Sequence, residues 1–179
     1  LELNFYTGRV EVDGKYVTLD DGTPLQYMPL AVEQNLTASK YIETAGARMK
    51  KYEVDRTAYS DGRMPDNDIV LYRYADVLLM KAEAKVRNGE SGDEQLNAVR
   101  SRAGMPSLAA TLANILDERL LELVWEGWRR QDMIRFGTYC EPYDIHTPSA
   151  ADKKRYTIVF PIPEKARELN HNLAQNQGY

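Results

Sequence analysis

Between residues 69 and 137 apolar positions recur at intervals of three and four. Leu71, Tyr74, Ala75, Leu78, Leu79, Ala82 and Val86 fall on one stripe of a helix, with Asp76, Lys81, Glu83 and Lys85 away from its centre. Asn88-Gly89 is a stop signal for that helix. Ser91-Gly92-Asp93-Glu94 has the spacing of a capping box and predicts the start of a second helix, which carries Leu96, Val99 and Ala103 and ends at Gly104. The short link between them predicts an antiparallel helix pair. A third helix is predicted over residues 111–126, with Leu112, Ile115, Leu116, Leu120, Leu123 and Val124 inward. Gly127 breaks or bends it before a helix over residues 128–136, where Gly137 is a natural end.

The first third of the chain has no such period. Residues 5–12 and 15–19 flank Asp13-Gly14, a dipeptide that tolerates the positive φ angles of a type I′ turn, and predict a β-hairpin. Residues 24–60 are irregular and predict extended segments and loops. Composition changes near Met64-Pro65-Asp66, which divides a loop-rich segment, residues 1–67, from a helical core and tail, residues 68–179. Within the latter, residues 141–148 read as loop, and residues 156–160 as a short buried extended segment stopped by Pro161-Ile162-Pro163. Residues 164–169 add a helical turn or two, and residues 170–179 form a polar tail.

Composition narrows the classes of function. With 43% hydrophobic residues in 179 the chain has material for a real core. Its 23 basic and 27 acidic residues are interspersed and leave a net charge of -4, which argues against electrostatic binding of nucleic acid. No apolar run approaches the roughly eighteen residues that span a bilayer. Cys140 is the single cysteine, so neither an internal disulfide nor a cysteine-based zinc site is expected. The chain starts at Leu1 with no signal-like segment and is expected to be a piece of something longer.

Candidate chemistry is sparse. Phosphate-loop, dinucleotide, nucleophile-elbow and His-Glu-x-x-His motifs are missing from the sequence. Glu168-Leu169-Asn170-His171 matches half of a di-iron carboxylate motif, but His146 supplies no second half, so no metal and no cofactor are expected. Glu118, Glu122 and Glu126 line one helix face, a geometry that suits acid catalysis or cation binding. The surrounding arginines point instead to ion pairing. The expected network joins Arg73, Asp76, Arg100 and Arg102 to Glu118, Arg119, Glu122 and Glu126, and extends through Arg129, Asp132 and Arg135. Trp125 and Trp128 flank Glu126-Gly127 and are expected to pack. There are 12 Tyr against 3 Phe and 2 Trp, and a flat ring with a polar tip suits a sugar face or a wet interface.

In order and spacing, several motifs together resemble the C-terminal region of the SusD/RagB family. They are Arg73-Tyr74-Ala75-Asp76-Val77-Leu78-Leu79-Met80, then residues 96–104, then Glu118-Arg119 with Glu122-Leu123 and Glu126-Gly127, Asp132-Met133-Ile134-Arg135-Phe136-Gly137, Phe160-Pro161-Ile162-Pro163 and the terminal Asn176-Gln177-Gly178-Tyr179. Gln177 departs from the family's usual proline there. The resemblance implies a mainly α fold, a SusD-like C-terminal helical domain with a small β-hairpin and long loops. It also implies a non-enzymatic, surface-exposed outer-membrane lipoprotein of Bacteroidetes that binds glycan and hands it to a SusC-like TonB-dependent transporter, with an N-terminal SusD-like domain missing from this chain. The family motifs specify no ligand contacts, so the candidates Tyr27, Tyr41, Tyr52, Tyr59, Tyr139 and Tyr143 rest on side-chain chemistry and loop placement. Two other readings stand beside glycan binding: a docking or scaffold segment that touches no sugar, and a glycoside hydrolase acting through Glu118, Glu122 and Glu126.

Overall fold

A computed structural model describes residues 4–30, 46, 48–52, 55, 66–143 and 146–179. The fold is mainly helical with small antiparallel strand pairs, and it divides into two compact units, Leu1–Ile69 and Val70–Tyr179.

Among the described residues the first unit holds three two-stranded antiparallel sheets. β1 (Phe5–Tyr6) pairs with β6 (Arg48–Met49), β2 (Gly8–Arg9) with β5 (Gln26–Tyr27), and β3 (Glu11–Val12) with β4 (Lys15–Tyr16). The hairpin at Asp13-Gly14 forms with φ of 50° and 75°, as a type I′ turn requires. The long first strand expected over residues 5–12 is cut into three. Gly8 at φ 73° sits where the chain leaves β6 for β5, a backbone conformation that favours glycine.

The second unit contains α1 (Tyr74–Arg87), α2 (Asp93–Arg102), α3 (Leu112–Glu122), α4 (Arg129–Phe136), α5 (Ala150–Lys153) and α6 (Glu164–Leu169). Leu79, Ala82, Leu96, Val99 and Ile115 form its apolar core, with Leu78, Val86 and Phe136 at the margin. α1 packs on α2 and α3, and α4 packs on α3.

Several local expectations are corrected. Leu71 and Tyr74, placed on the inward stripe, are 71% and 74% exposed, because the helix begins only at Tyr74. Asp76 and Glu83, placed off it, are buried because arginines from other helices pair with them. The capping box at Ser91 does not form: Gly92 is the N-cap, the Ser91 hydroxyl accepts from Asp93 N–H, and Glu94 accepts from Gln95. A capping box does form at α5, where Ser149 and Asp152 each satisfy the other's backbone N–H. α3 stops at Glu122, short of residue 126, and the Glu122 carbonyl accepts a hydrogen bond from Arg73. Leu120, expected inward, is partly exposed.

Residues 156–160 are not a buried extended segment. Tyr156–Ile158 forms a 3-10 turn, and Val159 and Phe160 are exposed. The polar tail takes the place of a strand partner. The Gln175 side chain accepts from Ile162 N–H and donates to Ile162 C=O at 2.8 and 2.9 Å. Asn176 Nδ2 donates to the Phe160 carbonyl, and Tyr179 Oη donates to the Val159 carbonyl.

Candidate ligand-binding site

The charged residues of the helical unit are largely spent on one another. Arg119, 1% exposed, reaches from α3 to Asp76 Oδ1 on α1 at 2.7 Å and to Asp132 Oδ2 on α4 at 2.8 Å. Arg135 carries the chain of contacts on from Asp132 to Glu83, which also accepts from Arg87. Burial pushes the Glu83 carboxyl up, but the hydrogen bonds from Arg135 and Arg87 outweigh it and hold the group below its ordinary value. Each member of the glutamate stripe meets a guanidinium: Glu118 is held by Arg100, Glu122 by Arg73 and Arg102, and Glu126 by Arg73. Burial lowers the affinity of Arg73 for its proton, and the bonds to Glu126 and Glu122 raise it by more. Arg129 donates to the Leu116 carbonyl.

The first unit offers a different surface. Tyr27 on β5 and Tyr6 on β1 stand with ring centroids 6.3 Å apart and planes tilted by 44°. The Arg48 guanidinium lies 5.4 Å from the centre of the Tyr27 ring. Together with Val10, Glu11, Val12, Asp13 and Met49 they wall a cavity of about 480 Å³. That volume is in the range of small-ligand sites, about 300–1,000 Å³. Tilted aromatic faces beside a guanidinium and two carboxylates suit a ligand with apolar C–H faces and a rim of hydroxyls.

The other tyrosines are dispersed. Tyr52 has the Lys51 ammonium 5.9 Å from its ring centre and does not line this cavity. Tyr139 and Tyr143 belong to the second unit: Arg130 covers one face of Tyr139 at 5.1 Å, and Tyr143 stacks on His146 at 4.7 Å across a β-bridge. Tyr41 and Tyr59 lie outside the described residues. Tyr6 and Arg48 were not among the sequence candidates. The signal that unites them is the antiparallel register Tyr6↔Arg48, between strands 42 positions apart in the chain.

Among the described residues no group of three or more His, Cys, Asp or Glu is placed to hold a metal ion. No helix among them is long and apolar enough to cross a membrane.

Helices joined by arginine–carboxylate contacts in one unit, and short strand pairs in the other, place the chain in the mainly helical class. Residues 29–179 match the SusD family, and the chain belongs to it. It is 31% identical over 139 residues to the starch-binding protein SusD of Bacteroides thetaiotaomicron, covering 74% of this chain and 25% of that protein. With the SusD-like protein P38 of Formosa agariphila it shares 36% identity over 130 residues, 64% of this chain and 25% of the relative. A similar solved structure is the surface glycan-binding protein A from Bacteroides thetaiotaomicron in complex with laminarihexaose, at 32% identity and a TM-score of 0.55, covering 66% of this chain and 27% of that one. The chain thus spans about a quarter of the length of these relatives. The family match begins at residue 29, so Tyr6 and Tyr27 lie outside it, whereas Arg48 and Met49 lie within.

Proposed function

We propose that this chain is a non-catalytic glycan-binding segment of an outer-membrane nutrient-uptake protein, and that it takes saccharide in the cavity that Tyr6 and Tyr27 line. The observation that carries the reading is that pair of tilted rings, with Arg48, Glu11 and Asp13 on the same wall. Pyranose C–H faces rest on the rings, and the charged groups bond to hydroxyls. Membership of the SusD family, with relatives named for starch and glycan binding, supports the same class of ligand. The longer protein would be surface-exposed and lipid-anchored, would carry an N-terminal SusD-like domain, and would hand the glycan to a SusC-like TonB-dependent transporter. Tyr52, Tyr139 and Tyr143, with Tyr41 and Tyr59, are further candidate contacts.

One feature favours docking as an additional role. The outward face of α1 carries Tyr74, Val77 and Met80, each more than 40% exposed, an unusual apolar stripe for a solvent-facing helix.

Titration calorimetry of the chain with laminarihexaose and maltohexaose, followed by analysis of the mixtures for cleavage, tests the reading. Saturable binding without cleavage is expected, weakened about tenfold or more by Tyr6→Ala or Tyr27→Ala, which corresponds to about 1.4 kcal/mol. Cleavage, or binding indifferent to both substitutions, overturns it.

A further inference from the structure

In the helical unit, the turn between α3 and α4 walls a second cavity, of about 450 Å³. Both tryptophans of the chain, Trp125 and Trp128, line it, with Leu120, Leu123, Arg129 and Arg130. Among the described residues that line it there is no carboxylate. Arg119 also lines it and is neutralised by Asp76 and Asp132, whereas the two arginines that follow the turn bond to carbonyls instead. Arg129 donates from Nη1 to the Leu116 carbonyl at 3.1 Å, and Arg130 from Nη2 to the Thr157 and Ile158 carbonyls at 3.0 and 3.2 Å. Neither meets a carboxylate among the described residues, so each brings an unneutralised positive charge to the lining, and the Arg130 guanidinium also lies 4.3 Å from the Phe160 ring centre and 5.1 Å from that of Tyr139.

The backbone adds an independent sign. Trp125 has φ +69°, a left-handed conformation that is costly for a bulky side chain, and its residue is 52% exposed. Strain of this kind persists where the surrounding structure imposes it, and it concentrates at ligand sites. Here it holds an indole at the rim of a cavity whose unneutralised charge is positive.

We propose that this cavity binds the carboxylate-bearing ring of an acidic sugar, a hexuronate unit. The pyranose face lies against the tryptophans, and the carboxylate is directed toward Arg129 and Arg130. The inference rests on the glycan reading above and adds a second, acid-selective subsite.

Because both tryptophans are at the cavity, intrinsic fluorescence reports on it directly. Trigalacturonate is expected to shift the emission saturably, at least tenfold more tightly than the neutral maltotriose, and more weakly as salt is raised. Trp125→Gly removes the indole and relieves the positive-φ strain, so it should keep or raise the unfolding temperature while Trp128 reports lost binding. Arg129→Gln should narrow the gap between acidic and neutral trisaccharides. Tyr27→Ala should leave the signal intact. Equal response to both sugars, no response to trigalacturonate, or an unchanged response in Trp125→Gly overturns the inference. Neutral glycan binding through Tyr27 with trigalacturonate silent overturns this subsite alone. A trigalacturonate signal without any Tyr27-dependent binding supports the subsite and overturns the assignment at Tyr6 and Tyr27.

Discussion

Gly92 approaches the backbone of Ala82 so closely that a β-carbon on it would stand 2.7 Å from the Ala82 carbonyl oxygen and 3.0 Å from its Cα. This contact sets where α2 begins against α1. The φ of Gly92 is -99°, so the requirement for glycine is one of space and not of backbone angle. Gly92→Ala must move a helix, because the obstructing atoms are main chain. The expected cost is about 1–3 kcal/mol, read as a lower urea midpoint with an unchanged slope.

Arg119 stands between Asp76 and Asp132, all three essentially without solvent. Arg119→Ala leaves two buried carboxylates facing a void and should cost about 3–5 kcal/mol. Replacing all three together, as Asp76→Leu, Arg119→Met and Asp132→Leu, should return most of that loss. Chemical denaturation of the single and triple variants separates the price of an orphaned charge from the worth of the cluster.

The helices from residue 74 to residue 136 are legible in the sequence because apolar spacing by three and four is a property of each segment alone. What that spacing hides is the buried charge. A stripe rule places Asp76 outward, and nothing within α1 shows that Arg119, 43 positions on, arrives to neutralise it. The Tyr6–Tyr27 cavity is hidden for a related reason. Its strands are two residues long, too short for alternation to show, and Arg48 comes from an irregular stretch. The Ser91 spacing, conversely, is a sound local signal that loses to the close approach of Gly92 to α1.

Asp152 accepts from the Thr157 hydroxyl at 2.5 Å and from the Ser149 hydroxyl and N–H at 2.7 and 2.8 Å. These bonds, that from Thr157 foremost, lower its pKa from 3.8 to about 2. A carboxyl depressed in the folded state stabilises above its unfolded value, and that contribution is lost as pH falls from about 4 toward 2. Asp152→Asn should therefore flatten this part of the acid-unfolding curve. Glu83, held low by Arg135 and Arg87 against its burial, changes stability in the same sense. Circular dichroism across the acid range checks both, and equal slopes in the wild type and Asp152→Asn would refute the assignment.

Gly178 lies against the Tyr156 ring, where a β-carbon would fall 2.2 Å from ring atoms, and its φ is +99°. Gly178→Ala should release the tail from the Tyr156–Ile162 stretch. Hydrogen exchange at Ile162 N–H, protected by the Gln175 side chain, should rise several-fold, while the amides of α1 keep their protection.

The ion-paired interior also governs how the helical unit responds to heat. Among the described residues, buried side chains are as often polar or charged as apolar. Hydrating apolar surface raises the heat capacity of the unfolded chain, and hydrating polar surface lowers it. Exposing guanidinium and carboxylate groups beside so small a greasy core therefore gives a heat-capacity increment below the usual ~12–15 cal/mol/K per residue. The stability curve of this unit is correspondingly broad and shallow, so its folded population changes little over a wide span of temperature.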